Sequence, residues 1–325
     1  MELLSKLPIH RHTSLLKRFP EVRNVSQWEK SKANWLIYGH FLACRQLEDI
    51  DFFTGVYNHI VDVWQVGPYE VALMRGNLTP EHKQILDELE LEYASLNDVP
   101  DLSKPGLIVF DMDSTAIQIE CIDELAKLAG VGDEVSAVTE RAMQGELDFE
   151  QSLRQRVAKL QGADESILQA VRAELPLMPD LVELVTALQS FGWKTAIASG
   201  GFTYFSDHLK AMLGLDYARS NQLEIVDGKL TGQVLGDVVC AQTKADILLE
   251  LAEQYDIELH NTIAVGDGAN DLVMMRAAGL GIAYHAKPKV EREAQVAVRH
   301  LGLGGVLCVL SAQYAKQGKL SWRPR

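Results

Sequence analysis

Leu107-Ile108-Val109-Phe110 is an unbroken apolar run that ends directly at Asp111. A strand apolar on every residue must be buried on both faces, and a parallel sheet covered by helices provides that burial. Similar segments recur at 194–198, 262–265 and 280–284. Helical patterns separate them at 181–190, 205–213, 244–255 and 271–278. This alternation predicts an α/β fold with a doubly wound parallel sheet, whose ligands bind at the carboxyl ends of the strands. Residues 119–175 break the alternation with helical patterns only, which predicts an inserted helical cap. Asp227-Gly228 between two alternating runs predicts a hairpin.

The first hundred residues have a different character. A strand is expected over 35–42, a helix over 49–61 started by Asp49 or Asp51, and strands at 63–66 and 69–74 around Gly67-Pro68. Thr79 before Pro80 predicts an N-cap and a helix through Leu89, and 91–96 reads as a closing strand. The order β-α-β-β-α-β predicts a separate α+β ferredoxin-like unit at 1–100. It is similar in topology to ACT-type modules, which bind amino acids. A linker around Asn97–Gly106 leads into a second unit at 106–325.

The chain has 325 residues and a formal net charge of −14, which argues against partners such as nucleic acid or an anionic membrane. Met1–Pro20 lacks the apolar run of a secretory signal, and no window is apolar enough to predict a spanning helix. Cys44, Cys121, Cys240 and Cys308 are widely spaced, which fits reduced thiols in a cytoplasmic protein. A homodimer is left open.

Asp111 and Asp113, one residue apart at a strand's end, offer hard oxygen ligands suited to magnesium, or else a solvated pair with Asp113 as a helix cap. A carboxylate attacks a phosphate dianion only where a cation offsets the repulsion. Ser199-Gly200-Gly201 follows the next strand and would let backbone N–H groups approach a phosphate, or form a plain turn. Lys244 reads as opening a helix, against the dipole; it is a candidate phosphate ligand or an exposed lysine. Gly266–Asp271 packs Asp267, Asn270 and Asp271 into one strand-to-helix turn. There Asp267 could face the metal, Asn270 donate to phosphate, and Asp271 fix the metal's waters or Lys244. Each of the four segments reads as lying at a strand's carboxyl end, so they would share one rim, which favours a single site over four unrelated turns.

Asp111-x-Asp113-x-Thr115, Ser199-Gly200, Lys244 and Gly266-Asp267-Gly268-x-Asn270-Asp271 resemble the four motifs of the haloacid dehalogenase superfamily. The resemblance runs from Leu107 to the C-terminus. The string Phe110–Thr115, with Glu120 and the Phe149–Arg156 segment, is similar to the superfamily's amino-acid phosphatases and implies phosphoserine as substrate, at the last step of serine biosynthesis. By the same resemblance Asp111 would be the nucleophile and Asp113 the acid, then the base. Mg2+ would be held by Asp111, Asp267 and the carbonyl of Asp113. Ser199, the Gly200 amide, Lys244 and Asn270 would hold the phosphoryl oxygens. Arg156 would take the substrate carboxylate through two hydrogen bonds, Glu120 its ammonium, and Met143 and Phe149 would close over it. For Arg156 and Glu120 a plain surface role is the competing reading, and for Met143 and Phe149 a place in the cap core.

Overall fold

Alternation along each strand decides how the two sheets of this molecule are stacked. The structure, a computed structural model, describes residues 7–322. Met1–Lys6 of the expected first unit and of the segment examined for a signal, and the last three residues of the second, lie outside the described residues.

The first sheet is antiparallel. Its elements are β1 (Ile9–His10), α1 (Thr13–Arg18), α2 (Gln27–Ser31), β2 (Trp35–Gly39), α3 (Cys44–Thr54), β3 (His59–Val66), β4 (Tyr69–Arg75), α4 (Pro80–Glu88) and β5 (Glu92–Ser95). The strand order is β1-β3-β4-β2-β5. From β2 to β5 this is the ferredoxin-like β-α-β-β-α-β arrangement; β1 adds an edge strand. Trp35 and Ile37 pack with Leu47, Ile50 and Leu86 on the α3/α4 side. Leu36 and Tyr38, one residue out of phase, join the core on the opposite face.

Two expected elements shift. The helix expected over 49–61 runs instead from Cys44 to Thr54, with Ala43 at its N-cap and Gly55 ending it at φ 68°. Asp51 caps nothing there; its carboxylate accepts the Asn58 N–H at 2.8 Å, and Val61 belongs to β3. The strand expected through Leu42 ends at Gly39.

The second sheet has seven strands, ordered β12-β11-β10-β6-β7-β8-β9. They are β6 (Leu107–Phe110), β7 (Lys194–Phe202), β8 (Tyr217–Val226), β9 (Lys229–Leu235), β10 (Thr262–Gly266), β11 (Leu280–Tyr284) and β12 (Val296–Val298). All pairings are parallel except the β8–β9 hairpin. That hairpin turns at Asp227 and Gly228, both at positive φ (51° and 75°), the geometry an Asp-Gly pair favours. The cap consists of α5 (Cys121–Leu128), α6 (Gly132–Met143), α7 (Phe149–Ala158) and α8 (Ser166–Ala173). The remaining helices are α9 (Leu181–Ser190), α10 (Thr203–Leu213), α11 (Ala241–Gln254), α12 (Leu272–Ala277), α13 (Pro288–Glu293) and α14 (Gly304–Lys316). Ile108, Phe110, Ile263 and Val265 face α9 and α14, while Leu107, Val109 and Ala264 face α11 and α12. The chain leaves for the cap and returns from it side by side. Gln118 N–H donates to Pro176 O and Met178 N–H to Ala116 O, both at 2.9 Å.

With β6 central, between β10 and β7, the residues that follow these strands come together at one rim. No helix among the described residues is long and apolar enough to cross a membrane. All four cysteines are free.

Candidate active site

The β6–β10 pairing continues one step past the strand: Asp111 N–H donates to Val265 O at 2.9 Å. The Asp111 carboxylate therefore stands at the rim. Its Oδ1 accepts the Met112 N–H at 2.7 Å and lies 2.9 Å from Lys244 Nζ. Lys244 also donates to Asp271 Oδ1 at 2.7 Å. It does not open its helix: Cys240 is the N-cap, and Lys244 sits one turn into α11, fully buried. The expected conflict with the helix dipole is thus offset by two carboxylates. Burial works against the lysine's charge, yet Asp111 and Asp271 outweigh it and hold its pKa above the ordinary lysine value.

Asp111, Asp267 and Asp271 place carboxylate oxygens within 4.8 Å of one another. Thr115 Oγ1 donates to Asp267 Oδ1 at 3.0 Å, and Gly268 N–H donates to Asp271 Oδ2 at 3.0 Å. Burial, then Asp111 and Asp271, push Asp267 up to about 7. Lys244 offers one positive charge against three carboxylates. Hard oxygen donors short of positive charge fit a magnesium ion. The Asp113 carboxylate is not in this group; its backbone carbonyl was the atom expected to serve the metal.

Asp113 is half-buried, and its Oδ1 is enclosed without a hydrogen-bond partner. Burial, then Glu120 and Asp111, push its pKa well above the ordinary aspartate value. A carboxyl kept neutral this way can give up a proton.

Ser199, Gly200 and Gly201 interrupt the β7–β8 ladder beside Asp113. A Cβ at Gly201 would lie 2.9 Å from Asp113 Oδ2, and one at Gly200 would lie 2.6 Å from Phe149 Cζ. A side chain at either position would have to push these neighbours aside, so glycine allows the close approach seen here. Phe149, the first residue of α7, thus lies over the loop from the cap side.

Arg156 lies on α7 and lines the same cavity. Its Nε is buried without a partner, and burial lowers its pKa against the pull of Asp123, Glu120 and Asp113. Glu120 accepts the Ser114 hydroxyl at 2.7 Å, and burial raises its pKa. The cavity measures about 190 Å³ and is lined by Asp111, Asp113, Glu120, Phe149, Arg156, Ser199, Gly200, Asp267 and Asn270. Ile122, Leu153 and Gly201 also line it. The first two were invisible in the sequence because they match the ordinary apolar pattern of a cap helix. Lys244 and Asp271 are not among the lining residues; Lys244 bonds to Asp111 and to Asp271. Met143 departs from expectation: it ends α6 72% exposed, outside the cavity. A larger cavity of about 560 Å³ between α8, α10 and β8 holds none of these residues.

The family model for haloacid dehalogenase-like hydrolase matches residues 105–279, and one for a domain of unknown function (DUF5609) matches 31–95. The phosphoserine phosphatase of Vibrio cholerae is 70% identical over 325 residues, covering 100% of this chain and 99% of its own. A crystal structure of a probable phosphoserine phosphatase from V. cholerae, unliganded, superposes with a TM-score of 0.91 at 71% identity, over 98% of this chain and 99% of that one. A phospho-aspartyl intermediate analogue of phosphoserine phosphatase superposes with a TM-score of 0.60 at 42% identity, over 63% of this chain and 98% of that one. The chain belongs to the haloacid dehalogenase-like hydrolase family. Its full-length likeness falls within the phosphoserine phosphatase branch, which makes it a phosphoric monoester hydrolase.

Proposed function

We propose that the chain hydrolyses O-phospho-L-serine to L-serine and phosphate through an aspartyl-phosphate, an acyl phosphate on Asp111. The observation that carries this reading is the pairing of Asp111, salt-bridged to Lys244, with Asp113, its Oδ1 enclosed and unpartnered and its carboxyl pushed toward the neutral form, in one cavity. The Asp111 carboxylate attacks phosphorus in line with the serine oxygen. As the P–O bond to serine breaks, Asp113 gives its proton to that oxygen, and L-serine leaves. Asp113, now a carboxylate, takes a proton from a water that attacks the phosphorus, which releases phosphate and restores both residues. Lys244, the Ser199 hydroxyl, the Gly200 amide and Asn270 hold the phosphoryl oxygens. Mg2+ would be held by Asp111, Asp267 and the Asp113 carbonyl, and when bound it supplies the charge that lets a carboxylate approach a phosphate.

Substrate choice rests on Arg156 and Glu120. Arg156 has an unpartnered, buried N–H and no salt bridge among the described residues, so a carboxylate in the cavity would complete its bonding. Glu120 suits the ammonium. Phe149 closes the apolar side. With serine as product the reaction would be the last step of serine biosynthesis, and the four free cysteines fit a cytoplasmic setting. In this reading 106–325 is the catalytic unit, with the cap at 119–175, and 1–100 is an accessory unit.

Phosphate release from phosphoserine, with and without magnesium, tests the reading in wild type and Asp111→Asn. Turnover should require both the metal and Asp111, and acid quenching should trap phosphate covalently on the wild-type chain. Wild-type rates in Asp111→Asn would sink the mechanism.

A further inference from the structure

Asn221 lies one residue past the interruption in the β7–β8 ladder. The ladder pairs Ala198 with Arg219 and resumes at Phe202 with Asn221, so Ser199, Gly200 and Gly201 stand against Ser220 alone. A bulge of this kind strands backbone groups that a strand would otherwise pair. Asn221, 1% exposed, supplies the missing partner: its Nδ2 donates to Gly200 O at 2.8 Å. The N–H of the same peptide unit, that of Gly201, donates to Ser199 Oγ at 2.9 Å. The Gly200–Gly201 peptide is thus held at both ends. Ser199 Oγ is used there as an acceptor, which leaves its own hydrogen to donate elsewhere. The other oxygen-bearing arm of Asn221 reaches a second element, where its Oδ1 accepts the Val239 N–H at 2.8 Å. Val239 precedes Cys240, the N-cap of the helix that carries Lys244.

We propose that Asn221 is a positioning residue for the phosphoryl site: one buried amide sets the Ser199–Gly201 bulge and ties it to the start of the Lys244 helix. It touches no substrate. It acts by fixing where the Ser199 hydroxyl, the Gly200 amide and Lys244 stand relative to one another, the preorganisation that phosphoryl transfer depends on. The proposal rests on the phosphatase reading above but not on the identity of the alcohol. The amide is specifically needed, because the two contacts demand a donor on one side and an acceptor on the other. Aspartate keeps the shape and the Val239 bond but sets an oxygen against Gly200 O.

The test uses the full-length magnesium-loaded enzyme hydrolysing 4-nitrophenyl phosphate, as wild type, Asn221→Asp and Asn221→Ala. Inhibition constants are measured for orthovanadate, which occupies the phosphoryl site, and for L-serine, which would occupy the Arg156–Glu120 end. Neither constant depends on what fraction of a variant folds. Both variants should lose at least tenfold in kcat/KM, with orthovanadate inhibition weakened by a comparable factor and L-serine inhibition within twofold of wild type. Adding Ser199→Ala to Asn221→Ala should cost far less than the product of the two single losses, since both act through one peptide. Unchanged orthovanadate inhibition, or equal weakening for both inhibitors, overturns the proposal. So does failure of both variants to fold, which would make Asn221 a folding residue. If wild type cleaves the aryl phosphate but not phosphoserine, the substrate assignment falls while orthovanadate still decides the role of Asn221.

Discussion

Replacing Gly200 by alanine should jam the cap. The new methyl would sit 2.6 Å from Phe149 Cζ, 0.8 Å short of the 3.4 Å at which ordinary contact begins, and two further ring atoms would lie at 3.4 and 3.5 Å. Phe149 packs against the main core cluster, so its ring can turn aside only by giving up those contacts. Overpacking of this size costs about 1–3 kcal/mol. Because the methyl meets a cap residue across the cavity, and a cap joined by two adjacent strands of chain can hinge, the cost should fall on how the cap sits over the site rather than on folding. That corresponds to a loss of roughly 5- to 150-fold in kcat/KM with little change in melting temperature. The decisive assay is a double-mutant cycle with Phe149→Ala, which should lower kcat/KM in the wild-type background and raise it in Gly200→Ala. If Phe149→Ala is equally harmful in both backgrounds, the ring is not the obstacle and the reasoning from contact distance is refuted.

Three other perturbations read different parts of the site. Arg156→Ala should cut kcat/KM for phosphoserine about 100-fold, the loss of a bidentate charge-assisted pair, and leave 4-nitrophenyl phosphate within about threefold; equal losses would remove Arg156 from carboxylate recognition. Lys244→Met leaves the buried Asp111 and Asp271 without their shared cation and should cost about 3 kcal/mol in urea unfolding of the metal-free protein; an unchanged midpoint would contradict the pairing. Asp267 has a folded pKa of about 7 against an ordinary 3.8, so the native state binds the extra proton and stability falls as pH rises between those values. Asp267→Asn should therefore stabilise the metal-free protein at pH 8 by on the order of 2 kcal/mol, flatten that pH dependence, and show no rise in melting temperature with magnesium, where wild type should show one. A destabilised, magnesium-responsive variant would contradict it.

What could be read from the sequence follows the physics of each segment. β6, β11 and α9 matched their expected bounds because fully apolar strands and a clean helical stripe have few competing folds. The site was legible because its carboxylates, serine and lysine follow parallel strands or lie next to one, and topology alone then gathers them. α3 was misplaced because Asp49 and Asp51 look like caps, whereas its true N-cap, Ala43, makes no side-chain bond and leaves no signal. Met143 looked like a cap residue facing substrate because hydropathy does not say which way a helix end points. Asn221 could not be seen at all: its role arises from a three-against-one mismatch between strands, a property of pairing rather than of any local string.

The helix α14 packs the first hundred residues against the rest of the chain. Ten of its thirteen residues are buried, so it has no polar face to give to water. It lies between the second face of the N-terminal sheet and α9 of the catalytic core. Trp64 of β3 donates through Nε1 to Ser311 at 2.8 Å, and the Glu92 carboxylate of β5 accepts the N–H groups of Arg299, His300 and Leu301 at 2.7, 2.6 and 3.1 Å. A ferredoxin-like sheet normally leaves this face to solvent or a partner; here the chain's own last helix covers it. Residues 1–100 made alone would expose Leu36, Tyr38, Trp64 and Val66, and residues 106–325 made alone would expose Val306, Leu307 and Leu310. Both fragments should bind a hydrophobic dye strongly and unfold without a cooperative transition, and mixing them should restore a single transition and phosphatase activity. A catalytic fragment that is active and cooperatively folded by itself would show that α14 can find another arrangement, and that the N-terminal sheet is not part of the core it is buried with.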